Sequence, residues 1–87
     1  MEAIWKFEII TTDSLRVEIP LGAKILTVQV QNGIPCLWCL VDVEKEKVSR
    51  EIRVIGTGQP IESDFKGEYV GTYQLFNGTG VFHLFLL

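Results

Sequence analysis

Apolar and polar residues alternate with a period of two through most of this chain. In the first run, Trp5, Phe7 and Ile9 fall on one side, and Lys6 and Glu8 on the other. Successive side chains of a strand point to opposite faces, so this period is typical of a half-buried β-strand. Valine, isoleucine and threonine make up 24 of the 87 residues, whereas alanine occurs twice. This composition favours strands over helices.

Turn signals divide the chain into about seven such runs. Asn32-Gly33 combines two residues that tolerate positive φ between extended segments, which predicts a tight hairpin. Pro20-Leu21-Gly22 predicts a corner, and Asn77-Gly78-Thr79-Gly80 predicts the last hairpin. We expect a single all-β domain over residues 1–87, either a small antiparallel β-sandwich or an open barrel of about seven short strands.

Within the runs, the alternation predicts which side chains share a face. Leu26, Val28 and Val30 should point one way, opposite a row of Thr27, Gln29 and Gln31. Tyr69, Gly71 and Tyr73 should likewise share a face. Residues 36–42 and the terminal run 81–87 are apolar on both sides, which predicts that both lie centrally in a sheet or under an interface. The charged segment 43–49 is typical of a solvated loop.

Charge and hydropathy limit the partners of the chain. Eight basic against eleven acidic residues give a net charge of −3, so we expect no polymeric nucleic acid partner, although a small anion held by one or two cations remains possible. We expect no membrane association and a cytoplasmic location, because no apolar run is long enough to span a bilayer. A mean hydropathy of +0.26 is high for so small a chain, which predicts a homo-oligomer, a dimer or a tetramer.

Few residues offer catalytic or metal chemistry. Cys36 and Cys39 have the spacing of a metal knuckle, but the chain supplies only one histidine, His83, and no second ligand pair. On a strand, positions i and i+3 face opposite ways, so we expect two buried free thiols. His83 lies in an apolar strand and is interpreted as a core imidazole or as a ligand. We expect no cofactor and no enzymatic activity.

Two features are candidates for ligand binding. The segment Gly56-Thr57-Gly58-Gln59-Pro60 could expose successive N–H groups to a phosphate or a base edge, or it could be an irregular turn at the end of a strand. Gln59 adds both a donor and an acceptor. Trp38 could stack on a nucleobase, or it could be a core tryptophan whose indole N–H finds a glutamine.

Motifs along nearly the whole chain resemble those of a widespread family of small uncharacterised phage proteins. The motifs that carry the resemblance are Ile4-Trp5-Lys6-Phe7-Glu8, Pro20-Leu21-Gly22-Ala23-Lys24-Ile25-Leu26, Val28-Gln29-Val30-Gln31-Asn32-Gly33-Ile34-Pro35, Leu37-Trp38, Val41-Asp42, Gly56-Thr57-Gly58-Gln59-Pro60-Ile61, Gly71-Thr72 and Val81-Phe82-His83. The resemblance extends to the phage anti-CBASS sponges, oligomeric proteins that bind cyclic dinucleotides or trinucleotides and so hide the immune signal from host effectors.

The resemblance implies that the protein sequesters a cyclic nucleotide in an infected bacterial cell. Carried over by position, the ligand-binding residues are Gln29, Gln31, Trp38, Thr57, Gly58 and Gln59. Arg53 is added because it is the nearest cation on the strand that leads into the glycine turn. Gln59 stands where the family pattern usually has histidine, which affects the choice of nucleotide. An alternative is a phage interaction or accessory structural module that acts through exposed β edges.

Overall fold

The computed structural model describes all 87 residues and contains seven β-strands. The strands are β1 (Glu2–Glu8), β2 (Ser14–Pro20), β3 (Lys24–Gln31), β4 (Ile34–Asp42), β5 (Lys47–Gly56), β6 (Glu68–Leu75) and β7 (Gly80–Leu86). All pairings are antiparallel, and the strands form two sheets of order β1-β4-β3 and β2-β5-β7-β6. The Cα atoms extend over 40 × 34 × 16 Å, a thickness that admits two sheets face to face. The fold is therefore an antiparallel sandwich, one of the two architectures expected.

The inner faces of both sheets form one apolar core. Leu37, Cys39 and Val41 of β4 meet Ile19, Ile52 and Leu84 from the second sheet, and all six are at most 1% exposed. Strands β2, β4 and β5 contribute alternate residues to this core, as the period of two predicted. The central positions of β4 and β7, expected from their apolar composition, are also confirmed.

Backbone conformations at the turns agree with the residue types found there. Asn32 and Gly33 have φ of 52° and 79°, so the β3–β4 hairpin has the geometry that Asn-Gly favours. At the β6–β7 hairpin, positive φ extends over three residues, from Phe76 to Gly78. Phe76 is 73% exposed there. A bulky residue in this region is uncommon, because its Cβ crowds the backbone.

Two β-bulges make the face assignments of the regular alternation wrong at two places. In β3 the register shifts between Ile25 and Thr27, so Leu26 lies in the bulge and is 43% exposed rather than buried beside Val28. In β6 the register shifts between Tyr69 and Gly71. Tyr69 therefore lies on the outer face, whereas Gly71 and Tyr73 face inward. A single extra residue reverses the faces beyond it, which strict alternation does not anticipate.

The expected loop over residues 43–49 is shorter in the structure. The turn occupies Val43 to Glu46, and the Asp42 side chain accepts a hydrogen bond from the Glu44 N–H at 3.0 Å. Strand β5 already begins at Lys47, where it pairs with Pro20 of β2. The charged residues thus cover a turn and the first part of a strand.

The bulged strands β3 and β6 close one side of the sandwich. They are edge strands of different sheets, yet they lie against each other. At their closest point a Cβ on Gly71 would lie 2.9 Å from Val28 Cγ1. Only glycine allows this approach without displacing Val28, which is 3% exposed.

The opposite side of the sandwich has two unpaired edges, β1 and β2. The N–H of Ile9 donates to the Pro35 carbonyl and that of Val43 to the Met1 carbonyl, so odd-numbered residues of β1 bond to β4. Even-numbered residues therefore direct their N–H and C=O groups away from the sheet. On β2 the free edge ends at Pro20, which has no N–H to offer.

The cysteines are buried as expected and are free. Cys39 lies in the core between the sheets, whereas Cys36 faces outward but is only 1% exposed. Desolvation raises the pKa of the Cys39 thiol from 9.0 to about 11.

We expect Gly71→Ala to lower the free energy of unfolding by about 1–3 kcal/mol, because the new methyl group must displace Val28. Urea denaturation measures the loss. In a Val28→Ala background the methyl group has room, and the same substitution should cost about 1 kcal/mol less. Equal costs in the two backgrounds would show that Val28 is not the obstacle.

We also expect stability to fall as pH rises from 9 towards 11. Over that interval the folded state keeps the Cys39 proton while the unfolded state loses it, so unfolding becomes more favourable. Burial raises the pKa of Tyr73 as well, which adds to the same trend. Cys39→Val should flatten the slope of stability against pH in urea titrations. An unchanged slope would contradict a role for this thiol.

Candidate functional site

The candidate ligand-binding residues lie in two groups on opposite outer faces. Gln29, Gln31 and Trp38 are on the outer face of the β1-β4-β3 sheet. Arg53 is on the outer face of the other sheet, and Thr57 to Gln59 form the turn that follows it. Because these faces point away from each other across the core, the two groups do not form one pocket within a protomer.

The first group surrounds an aromatic side chain on an open sheet surface. Trp38 pairs with Lys6 on one side and Thr27 on the other, and it is half-buried. The Lys6 Nζ lies 5.9 Å from the Trp38 ring centroid and donates to Gln31 Oε1 at 2.7 Å. The indole N–H makes no hydrogen bond to a glutamine. Trp38 is therefore a surface aromatic beside a cation, not a core residue.

Part of the second group forms a cleft. Arg53 and Gln59 line a cavity of about 370 Å³ together with Phe65 from the β5–β6 loop. The Arg53 guanidinium carbon lies 5.6 Å from the Phe65 ring centroid, a cation–π arrangement. Phe65 in turn packs edge-on against Phe85, with centroids 5.1 Å apart. Because Phe65 is held by Phe85, it provides a fixed aromatic surface beneath the Arg53 guanidinium.

The charges at the cleft are mixed. Arg53 makes no ion pair within 4.0 Å, so its charge is free for a ligand. Asp13 and Glu62 also line the cavity. Two carboxylates beside one guanidinium disfavour a ligand with several negative charges. These charges therefore disfavour a multiply charged anion more than a group with a single negative charge.

The glycine turn does not present the row of N–H groups that its sequence allowed. The N–H of Thr57 donates to the Val81 carbonyl and that of Gln59 to the Gly56 carbonyl, both at 3.0 Å. The Gly56 N–H donates to the side-chain Oε1 of Gln59. Only Gly58, at φ 91°, has an N–H without a partner in the chain. The interpretation as an irregular turn fits this geometry, and it leaves the Gln59 NH₂ group free to donate into the cleft.

Next to the turn, His83 occupies the centre of a hydrogen-bonded chain. Its Nε2 lies 2.7 Å from Thr57 Oγ1, and its Nδ1 lies 2.8 Å from Thr72 Oγ1. Thr72 Oγ1 is also 2.6 Å from the Tyr69 hydroxyl. His83 is half-buried on the outer face of its sheet. It is thus a hydrogen-bonded surface imidazole, which neither interpretation from the sequence described.

Two residues at these sites were not predicted from the sequence. In the sequence Phe65 is an isolated aromatic residue in a polar loop. The nearby Gly67 is the feature that could have indicated that the Phe65 ring packs against the backbone. A Cβ on Gly67 would overlap the Phe65 ring and lie 2.9 Å from Phe85 Cβ. Lys6 had no such signal, because only strand pairing brings it beside Trp38.

We expect Thr72→Val to lower the free energy of unfolding by about 1 kcal/mol, because it removes the hydroxyl shared by His83 and Tyr69. Chemical denaturation provides the measurement. Thr72→Ser keeps the hydroxyl and should retain most of the stability. If valine and serine variants were equally stable, the hydrogen-bonded chain would contribute nothing.

The structure contains no group of three or more His, Cys, Asp or Glu side chains placed to hold a metal ion. None of its elements is a helix long and apolar enough to cross a bilayer.

Comparison with known proteins identifies a family match. The model of a family described as "Domain of unknown function (DUF7352)" matches residues 1–87. No curated protein and no solved structure matches the chain. Because the family model covers all 87 residues, this chain belongs to the DUF7352 family.

Proposed function

We propose that the protein binds a cyclic oligonucleotide second messenger and sequesters it without turnover, as a phage anti-CBASS sponge does. The observation that carries this proposal is the unpaired Arg53, held over Phe65 at a cleft that Gln59 also lines. An arginine beside an aromatic ring provides a charge for a phosphate and a face for a base. The phage role and the cyclic messenger rest on the sequence resemblance.

The charges at the cleft disfavour a nucleoside triphosphate more strongly than a cyclic nucleotide. Each phosphodiester of a cyclic nucleotide carries one negative charge, which one guanidinium can neutralise. A triphosphate would bring several charges close to Asp13 and Glu62. Hydrogen bonds to charged groups are also the stronger ones, so Arg53 would supply most of the polar affinity.

The size of the cleft supports binding by more than one copy. At about 370 Å³ it holds roughly one nucleotide unit, whereas a cyclic dinucleotide occupies roughly 600–700 Å³. A homodimer or a homotetramer would supply the remaining walls. Sequestration needs affinity and stoichiometry alone, so no catalytic group is required in this function.

A second candidate function is favoured by the two unpaired edges. The free N–H and C=O groups of β1 and β2 could add a strand from another protein. In that function the protein would be a phage interaction or accessory structural module. It would co-purify with a stoichiometric protein partner, and nucleotides would leave its melting temperature unchanged.

The test of nucleotide sequestration uses a panel of cyclic dinucleotides, cyclic trinucleotides and cyclic ADP-ribose variants. We expect the protein to retain at least one of them and to release it unaltered on heating. Arg53→Gln should weaken binding about tenfold or more, since it removes a charge-assisted hydrogen bond. Arg16→Gln is the matched control, because it removes an exposed arginine outside the cleft.

Failure to retain any member of the panel at micromolar protein would contradict the proposal. Recovery of a chemically altered nucleotide would indicate an enzyme instead. Equal losses with Arg53→Gln and Arg16→Gln would place the binding site elsewhere.

A further inference from the structure

Strand β1 has an outer row that is complementary to itself. Along its outward-facing positions the residues are Ile4, Lys6 and Glu8, and Ile10 follows at the same spacing just beyond the strand. Ile4 is 61% exposed and Ile10 is 77% exposed. When two copies of this row run in opposite directions, each isoleucine lies opposite an isoleucine and each lysine lies opposite a glutamate.

From this pattern we infer that β1 is the interface of a homodimer, in which two copies pair antiparallel through their β1 edges. With Phe7 opposite the partner's Phe7, Lys6 lies opposite the partner's Glu8 and Ile4 opposite the partner's Ile10. The two three-stranded sheets then form one six-stranded sheet. A single two-fold axis passes between the two Phe7 residues and relates the copies, so every other pair of residues occurs twice. The inference is independent of the proposed ligand.

The hydrogen bonding of β1 is compatible with this register. Its even-numbered residues direct their N–H and C=O groups away from β4. In an antiparallel pair these are the residues that exchange hydrogen bonds with their opposite numbers. The pairs Ile4 with the partner's Ile10 and Lys6 with the partner's Glu8 join even-numbered residues, so their backbone groups face each other.

The inner face of β1 gives independent support. Trp5 and Phe7 point towards the core, yet both are only half-buried, because the sandwich is open on this side. Their rings contact each other, with centroids 6.4 Å apart. A second copy at the β1 edge would cover the exposed remainder of both rings. Aromatic residues at the centre of an interface are the usual source of its affinity.

Other registers of β1 are less complementary. A shift that places Lys6 opposite the partner's Lys6 opposes like charges, which is destabilising. A shift that places Lys6 opposite the partner's Glu2 joins opposite charges but leaves Glu8 and Ile10 without partners. Only the register centred on Phe7 uses the whole row.

The other free edge, β2, is less suited to the same pairing. Its outer row contains Arg16 and Glu18, but Pro20 has no N–H for the ladder. Arg16 and Lys6 each have a partner within the protomer, Glu51 at 3.6 Å and Gln31 at 2.7 Å, so internal pairing does not distinguish the two edges. The outer row of β2 ends in Ser14 and Pro20, so it has no exposed isoleucines equivalent to Ile4 and Ile10 of β1.

The test measures dimer dissociation by sedimentation for five full-length proteins, with circular dichroism to confirm folding. These are the unchanged chain, Lys6→Glu, Glu8→Lys, the double exchange of Lys6→Glu with Glu8→Lys, and Arg16→Glu. We expect a dimer, about tenfold weaker in each β1 single variant, because each creates two like-charge contacts across the axis. The double exchange should restore the affinity, and Arg16→Glu should leave it unchanged.

Each other outcome would overturn the inference. An unchanged chain that stays monomeric at its highest soluble concentration has no such interface. A dimer that all the β1 variants leave intact, or that Arg16→Glu disrupts, uses another surface. If Lys6→Glu weakens the dimer while Glu8→Lys does not, and the double exchange fails to restore it, the pairing is with Glu2 and the register is wrong.

Discussion

The close approach of β3 to β6 at Val28 and Gly71 determines the shape of the whole sandwich. It joins the two sheets at one side, and each strand carries a bulge next to the contact. A bulge increases local twist and bends the strand. The sheets are in contact at β3 and β6, and they are open to solvent at the opposite side, which β1 and β2 form. The free edges of β1 and β2, the half-buried aromatic rings of β1 and the Arg53 cleft beside the start of β2 are all found there.

This asymmetry divides the surface into two different faces. The outer face of the first sheet has a tryptophan, a lysine and glutamines on an open surface. The second sheet has a recess where Arg53, Phe65 and Gln59 meet. A ligand that touches both groups must therefore touch two copies of the chain. Assembly and recognition are coupled in any function that uses all of these residues.

Local periodicity predicted most of the fold because each strand is short and one face of it is buried. The inward positions of Trp5, Phe7 and Ile19 and the Asn32-Gly33 hairpin needed no information from distant residues. Leu26 and Tyr69 were misplaced because a bulge depends on how two edge strands meet, which is a tertiary property. The candidate site was less predictable, since the occupied N–H groups of Thr57 and Gln59 depend on Val81 and on the turn itself.

The two buried thiols have a practical consequence for work on this protein. A thiol reacts with alkylating reagents as the thiolate and only when the reagent can reach it. Cys36 and Cys39 are both nearly inaccessible, and Cys39 stays protonated well above neutral pH. One cysteine added at an exposed position could therefore carry a fluorophore or a spin label while both native cysteines remain in place.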